Sequence, residues 1–314
     1  MNRNHASRIL SGEFPDSTIT ILCIRSSFHS TIIHFTASGI NGENETNLVA
    51  KASRTKSTAE ITQEYQEQRE FFLATKCDMV SAPEPISVDL VNRVIVMRYV
   101  QGKTLRNMLM NLHPDNRSGV TNAMKLSAHA LASFHAMSTC RGKERVSFTS
   151  PYLEPVLNTD EIDSVTRNLS ISHLVKPFLD FSVNNILICE SGDRPTACLV
   201  DFPHIAVLSA PHIDFARFRL SLRVLKEYPR FRMTGISRWE VNDLFSIFLE
   251  EYQSIIGIPC GKEDRQLINW LEREYTRHLG REYFRLRSNP KILLESIYMR
   301  RLFSALEGKD WRLT

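Results

Sequence analysis

The sequence lacks the short signatures of several large enzyme classes. It contains no HExxH zinc motif, no GxSxG nucleophile motif and no Walker-type lysine loop. Its histidines His129, His135, His204 and His212 do not have the spacing of metal ligands, so we expect them in the core or on the surface. Zinc hydrolases, esterases with a nucleophile elbow and P-loop enzymes are therefore not supported.

Cysteine is scarce, and long apolar runs are missing. The 314 residues include six cysteines without a CxxC pair, and no secretory signal opens the chain. No apolar run approaches the length of a membrane span. These absences predict a reducing, cytoplasmic location, in which Cys189 and Cys198 are small buried residues and not a disulfide.

A strong excess of one charge is also missing. The 39 lysines and arginines face 35 acidic residues, and a net charge of +4 is too small to call for a nucleic-acid partner. With 42% hydrophobic and 24% charged residues, the composition excludes disordered, collagen-like and coiled-coil classes. The length allows one or two domains at about 150 residues per domain.

The N-terminal third has the pattern of a β-sheet with one helix. Runs rich in Ile, Thr, Val and Phe alternate with polar breaks, and one Glu- and Gln-rich stretch contains neither Gly nor Pro. The predicted elements are a hairpin over 17–37, a third strand over 47–52, a helix over 57–75 and two short strands over 88–100. Five strands with a helix between the third and the fourth follow from this pattern.

The rest of the chain is predicted to be mainly helical. Helices are expected over 105–112, 120–137, 220–228, 239–256 and much of 264–306. The exception is a hairpin whose strands cover 185–189 and 197–201. A strand-rich part and a helical part, joined near Gln101 and Gly102, suggest two lobes with a ligand cleft between them.

Residues capable of chemistry lie on the third strand and on the helix that follows it. Lys51 ends the apolar run 48–50, and the alternation of a strand can point its ammonium group into the cleft. The alternative is a lysine at a strand edge in water. Glu60, Glu64 and Glu67 share one face of the next helix, so a lysine that reaches this face would form an ion pair.

Three polar residues surround the second hairpin. Asn185 lies five residues after Asp180, and Asp201 ends the return strand. The hairpin brings Asn185 and Asp201 together at its open end, where an amide oxygen and a carboxylate can share a hard cation. Asp180 is placed to accept a proton from a hydroxyl nucleophile. This constellation predicts phosphoryl transfer.

The spacing of these residues resembles the protein-kinase-like fold, in its aminoglycoside phosphotransferase and choline kinase branch. The loop at 178–185 resembles the family's His-Gly-Asp-x-x-x-x-Asn, and the strand end at 200–203 its Ile-Asp-Phe-Gly. Residues 131–135 and 211–217 resemble its Leu-x-x-Leu-His and Asp-Leu-Ala segments. The resemblance covers 19–220. It implies an α+β, bilobal protein kinase-like fold, with a five-stranded N-lobe containing one helix (1–101) and a mainly helical C-lobe (102–314).

The resemblance implies a role for each site residue in a reaction with ATP and Mg²⁺. Asp180 would be the catalytic base, and Asn185 and Asp201 would hold Mg²⁺. The resemblance implies that Lys51 contacts the α- and β-phosphates and that Glu67, with Glu64 as the alternative, orients this lysine. Met97, Arg98 and Val100 would contact the adenine, and Ser26 and Ser27 would lie over the phosphates.

Two departures from the family pattern keep a second hypothesis open. Phe178 and Leu179 replace the His-Gly before the catalytic aspartate, and Pro203 replaces the later glycine. A catalytically weak pseudokinase or a nucleotide-binding interaction module is therefore the alternative to a kinase. A protein kinase is disfavoured, because only twelve residues separate Asp201 from Asp214 and no activation segment fits there.

The acceptor is left open between sugars, amino alcohols, aminoglycosides and anionic glycans, with a sugar-like or glycan hydroxyl preferred. The substrate-binding insertion that the resemblance implies, around 140–176, contains acidic residues that would suit a polycationic acceptor, namely Glu154, Asp160, Glu161 and Asp163. A basic group expected on the cleft side is Arg217, Arg219, Arg223 and Lys226.

A further stripe of arginines recurs every four residues near the C-terminus. Its members are Arg273, Arg277, Arg281 and Arg285. Such a stripe can meet an anionic membrane surface, but neighbouring glutamates predict a paired, solvated helix face instead.

Overall fold

The structure is a computed structural model. It describes residues 2–27, 29–39, 45–75, 79–111, 117–138, 140–141, 173–190, 194–203, 208–227, 240–257 and 260–285. The chain divides into two compact units, of which the first is Met1–Gly102 with Cys189–Ile205 and the second is Lys103–Ile188 with Ala206–Thr314.

The described residues form helices and strands in both units. The helices are α1 (Arg3–Glu13), α2 (Thr58–Thr75), α3 (Leu105–Asn111), α4 (Arg117–Ala136), α5 (His212–Glu227), α6 (Val241–Ile256) and α7 (Lys262–Arg285). The strands are β1 (Ser17–Ser26), β2 (Ser30–Gly39), β3 (Thr46–Ser53), β4 (Val80–Ser81), β5 (Pro85–Asp89), β6 (Val94–Arg98), β7 (Lys103–Thr104), β8 (Cys140–Arg141), β9 (His173–Leu174), β10 (Ile186–Cys189) and β11 (Thr196–Leu199). This mixture confirms the α+β class.

A five-stranded antiparallel sheet organises the first unit. Its strand order is β1-β2-β3-β6-β5. The sequence predicted five strands in this part of the chain but not their order in the sheet. β3 is central, because it pairs with β2 through Ala50 and Ile33 and with β6 through Lys51 and Ile95. In the same unit, β11 pairs in parallel with β4.

The two faces of the sheet are covered by different helices. Leu48 and Ala50 of β3 pack with Leu10 of α1 on one face. Val49 packs with Ile61 of α2 on the other face. Because side chains alternate along a strand, Lys51 shares the face of Val49 and points toward α2. The sheet register therefore fixes which helix the lysine can meet.

Helix α1 is, with the short strand β4, an element of the first unit that the sequence did not predict. Its segment contains Ser, Gly and His and only a short apolar stripe at Ala6, Ile9 and Leu10, so periodicity gives little signal. The helix forms because that stripe is buried on the sheet, and because the side chain of Asn2 caps its first turn by accepting from His5 N at 2.9 Å.

The second unit is built mainly of helices. α4 packs on α6, and α5 packs on both α6 and α7. Aromatic rings fill the space between them, and Phe248 lies 4.5 Å from Phe218 and 6.0 Å from Phe181, measured between ring centroids. Two short strands, β7 and β10, pair in antiparallel fashion through Thr104 and Leu187.

Helix α5 begins earlier than the sequence predicted. It starts at His212 and not at 220, so Asp214 lies in its first turn and Pro211 directly precedes it. A proline at this point costs no helical hydrogen bond, and an acidic group in the first turn is favourable at the positive end of a helix. The predicted helix beyond Arg285 and the acidic insertion residues lie outside the described residues. No helix among the described residues is both long and apolar enough to cross a membrane.

Candidate active site

Lys51 is the centre of a buried ion-pair group in the first unit. Its Nζ donates to Glu64 Oε1 at 2.5 Å and also to Asp201 Oδ1. Burial alone would lower the pKa of Lys51, but the two carboxylates outweigh it and raise the pKa above its ordinary value. The lysine is therefore held as a cation at the end of the central strand.

The carboxylate that reaches Lys51 belongs to Glu64, which corrects the prediction of Glu67. Glu64 is buried on α2 and also accepts from Lys56 Nζ at 2.6 Å. Glu67, almost one turn further along, accepts from Gln63 Nε2 at 2.5 Å. Helical spacing put both glutamates on one face. Which of them faces Lys51 depends on where α2 crosses the strand, and this is a tertiary property.

Asp201 stands at an unusual backbone conformation. Its φ is +68°, in the left-handed region that aspartate and asparagine tolerate better than most residues. The next residue, Phe202, is buried and its ring lies 5.5 Å from that of Phe71 on α2. Packing of Phe202 thus fixes the turn, while 45% of the Asp201 side chain stays exposed beside Lys51.

Asp180 is held through both of its carboxylate oxygens in the second unit. Oδ1 accepts from Arg217 Nε at 2.9 Å and lies 2.6 Å from Arg217 Nη2. Oδ2 accepts from Asn185 Nδ2 at 3.0 Å, and the same amide nitrogen also donates to the Asp180 carbonyl. The side chain of Asp180 is 45% exposed. The carboxylate is therefore both fixed in orientation and accessible to solvent.

The backbone just before Asp180 is clamped by Asp214 of α5. Asp214 Oδ2 accepts from Phe178 N and Oδ1 accepts from Leu179 N, each at 2.7 Å. Leu179 has a φ of +66°, and Asp180 N donates back to Phe178 O at 2.8 Å. This turn costs free energy for a leucine, and the two charge-assisted hydrogen bonds offset that cost.

A buried polar chain lies behind Asp214. His135 at the end of α4 is fully buried, with Nε2 3.0 Å from Asp214 Oδ2 and Nδ1 2.7 Å from the Tyr252 hydroxyl. Burial raises the pKa of Tyr252 further above its ordinary value, with Asp214 adding to the effect. His135 is thus a core residue, as expected, and it fixes the clamp.

The residues predicted to contact the adenine and the phosphates make contacts within the first unit. Met97 is buried, and the N–H of Arg98 donates to the carbonyl of Glu84 at 2.8 Å. An adenine contact by Arg98 would therefore have to use its carbonyl oxygen. Ser26 Oγ lies 3.1 Å from Thr31 Oγ1, across the first hairpin.

Ser27 closes the turn of the same hairpin. Its hydroxyl donates to the carbonyl of Ser30 at 3.0 Å, and Ser30 N donates back to that hydroxyl at the same distance. These bonds stabilise a tight turn without glycine.

Solved structures of similar fold include three small-molecule kinases. An ethanolamine kinase of Plasmodium vivax matches with a TM-score of 0.56 at 11% identity, covering 96% of this chain and 86% of its own. The GDP complex of aminoglycoside 2'-phosphotransferase-IIIa matches with a TM-score of 0.58 at 16% identity, covering 97% and 99%. A glucosamine kinase matches with a TM-score of 0.53 at 15% identity, covering 97% and 82%. No protein-family model and no curated protein sequence matches the chain.

The chain has a kinase-like phosphotransferase fold. Within this fold, the departure at Phe178 has a structural explanation. The Phe178 ring packs edge-on against Phe134 at 5.1 Å, and its backbone N–H is held by Asp214. Phe178 is therefore held by apolar packing of its ring and by the bond from its backbone N–H to Asp214.

The kinase-like chain also offers oxygen ligands suited to Mg²⁺. The amide nitrogen of Asn185 is engaged by Asp180, so its oxygen is the atom that can bind a cation. Asp201 presents a partly exposed carboxylate. Each is by itself a hard oxygen donor of the kind that Mg²⁺ prefers, so each residue fits the role that the resemblance implies for it. Among the described residues, no group of three or more His, Cys, Asp and Glu side chains could hold a metal ion by itself.

The sequence analysis predicted no positioning role for three residues that hold the loop around Asp180. The roles of Arg217, Asp214 and His135 depend on α5 packing under the loop before Asp180. The local signals were the resemblance of 131–135 and 211–217 to family segments and an aspartate three residues after a proline at a helix start, and neither says what the carboxylate binds.

Proposed function

We propose that the protein is an ATP- and Mg²⁺-dependent phosphotransferase that moves the γ-phosphate to a hydroxyl of a small molecule or glycan. The observation that carries this proposal is the buried lysine Lys51, held by Glu64 and Asp201 in a kinase-like fold. A buried lysine with fixed counter-charges is costly to maintain for stability alone. It is suited to neutralising the phosphates of a nucleotide.

Each residue of the proposed site has a separate task. Lys51 contacts the α- and β-phosphates, and Glu64 orients it. Asn185 and Asp201 hold Mg²⁺, which supplies charge neutralisation on the phosphates. Asp180 accepts the proton of the acceptor hydroxyl while that oxygen bonds to the γ-phosphorus. The bond from this phosphorus to the bridging oxygen breaks, and its electron pair leaves with ADP.

The orientation of Asp180 favours an active enzyme over a pseudokinase or an interaction module. Its two oxygens are held by Arg217 and Asn185, and the loop before it is clamped by Asp214. A pseudokinase or an interaction module would not need this carboxylate to be both fixed and accessible. The alternative keeps its support from Phe178 and Leu179, whose positions in the family carry other residues.

Turnover tests the proposal directly. ADP formation from ATP and Mg²⁺ would be measured over a panel of sugars, amino alcohols and glycans, with Asp180→Asn as the test variant and the exposed Asp243→Asn as control. We expect Asp180→Asn to lower turnover by about 100-fold or more, because general-base catalysis contributes about that much. Equal turnover in wild type and Asp180→Asn would reject the proposal. Nucleotide binding without turnover on any acceptor would favour the pseudokinase.

A further inference from the structure

A pocket with arginines in its wall opens in the first unit, beside helix α1 and at the ends of strands β2, β3 and β6. Its volume is about 450 Å³, a size that suits a small molecule or a headgroup. Thr31 and Ser53 are buried residues of its wall, and His5, Arg54 and Arg93 are exposed ones. We call this feature the basic pocket.

The basic pocket lies on the face of the sheet opposite to Lys51. Ala52, which lines the pocket, packs with residues of α1, whereas Lys51 points toward α2. Arg54 Nη2 donates to Thr31 Oγ1 at 3.1 Å, so this guanidinium lies at the pocket wall. A ligand in the pocket would therefore be bound independently of the proposed phosphotransferase site.

The two arginines of the basic pocket have neutral partners. Arg54 donates to a hydroxyl, and Arg93 Nη1 donates to the carbonyl of Lys56 at 3.3 Å. No aspartate or glutamate lines the pocket, and neither arginine forms an ion pair with a carboxylate of the described residues. The nearby Asp89 accepts from the backbone and side-chain N–H groups of Asn92 at 2.9 and 2.5 Å. The positive charge of the pocket is thus left for a ligand.

Two neutral donors add to the arginines. Ser53 Oγ accepts from Lys56 N at 3.1 Å, which leaves its own hydrogen free to be donated. His5 Nδ1 lies 3.2 Å from Arg8 Nη2. Because a guanidinium can only donate, Nδ1 is the acceptor and Nε2 carries the hydrogen of the neutral ring. Donors from α1 and from the end of β3 therefore line the same pocket.

We propose that the basic pocket binds a phosphate monoester group, carried either by a soluble compound or by a lipid headgroup. Such a group has about two negative charges and three terminal oxygens, which match two guanidinium groups and further donors. Arginine suits this ligand because its fork of N–H groups can bind two phosphate oxygens at once. Val91, also in the pocket wall, is 91% exposed and offers apolar contact to the carbon-bearing part of the ligand.

Binding measurements with defined probes test the pocket. Glucose 6-phosphate and glucose would be titrated by calorimetry, and vesicles of phosphatidylcholine with and without phosphatidic acid would be used in flotation. We expect Arg54→Gln to weaken binding of the phosphate-bearing probe by about tenfold or more, because a charge-assisted hydrogen bond is lost. Arg54→Lys should lose less, since it keeps the charge. The exposed Arg69→Gln on α2 is the matched control and should bind as wild type does.

Arginine labelling shows where the probe binds in the unmodified protein. Phenylglyoxal modification would be followed by mass spectrometry with and without the probe. We expect the phosphate-bearing probe to slow labelling of Arg54 and Arg93 severalfold and to leave labelling of Arg69 unchanged. Because this readout needs no substitution, it does not depend on the folding of a variant.

The results distinguish the source of the phosphate and can reject the site. Binding of glucose 6-phosphate but not glucose would support a soluble ester, and binding only to vesicles with phosphatidic acid would support a headgroup. Equal affinity in wild type and Arg54→Gln, or labelling of Arg54 that no probe slows, would overturn the proposal. Absence of binding to every probe would also overturn it. None of these outcomes depends on phosphotransferase turnover, so the two proposals fail separately.

Discussion

Leu179 is the residue at which the site stores backbone strain. Its φ of +66° places a branched, buried side chain in the left-handed region, where an L-residue costs about 1–2 kcal/mol. The conformation persists because the loop around it is anchored by Asp214. The strain aims the next residue, Asp180, toward its partners Arg217 and Asn185.

This strain predicts that glycine at position 179 gives a more stable protein than alanine, which is the reverse of their usual order inside a helix. Leu179→Ala and Leu179→Gly both lose buried contacts, but glycine relieves the backbone. We expect Leu179→Gly to have the higher free energy of unfolding, by about 1 kcal/mol, measured from denaturant midpoints. At exposed Leu73 within α2, the same pair should give the ordinary order, with alanine more stable. A higher stability of Leu179→Ala would contradict the strain.

Helix α5 is the element that joins the site to the core of the second unit. Asp214, Arg217 and Ser221 lie on one face and bind the loop that contains Asp180, with Ser221 Oγ accepting from Val183 N at 3.2 Å. Arg219 and Arg223 lie on the opposite face and bind Glu272 of α7. Spacings of three, four and seven residues produce these two faces. Helix α5 thus contacts both α7 and the loop that contains the proposed base.

The buried pair of α5 and α7 predicts a large loss of stability. Glu272→Gln would leave Arg219 and Arg223 without their shared counter-charge, and breaking a buried pair costs about 3–5 kcal/mol. We expect a lower denaturation midpoint for Glu272→Gln and almost no change for the exposed Glu250→Gln on α6. Similar midpoints for the two variants would show that the pair is energetically unimportant.

At the scale of the whole molecule, the proposal requires that nucleotide binding stabilises the fold. A ligand at 100 times its Kd adds about 2.7 kcal/mol to the free energy of unfolding. We therefore expect ATP with Mg²⁺ to raise the Tm, and Asp201→Asn to lose most of this rise, because one ligand oxygen is replaced. Asparagine tolerates the φ of position 201, so the apo fold should be retained.

Two controls accompany this titration, one for the substitution and one for the choice of nucleotide. Exposed Asp16→Asn in the same unit should keep the full shift, and GTP in place of ATP measures the choice of base. A shift of the same size in Asp201→Asn would argue against the proposed metal ligand. A wild-type Tm that neither nucleotide changes would favour an interaction protein.

The sequence by itself determined that the first unit has a five-stranded sheet region and where most helices lie, and it predicted Lys51, Asp180, Asn185 and Asp201 as candidate site residues. These depend on local periodicity and on spacing along the chain, which a sequence states directly. It also placed Cys189 and Cys198 correctly as buried free thiols. Such features can be predicted because each is decided by neighbours in the chain.

Tertiary structure decided the partners of those residues. Glu64 and not Glu67 meets Lys51, α1 forms because it covers the sheet, and α5 brings Asp214 and Arg217 to the loop before Asp180. These outcomes depend on where elements cross, and a crossing is set by packing between residues far apart in sequence. The sequence therefore predicted which polar residues form the candidate site, and only the packing decided which side chains orient them.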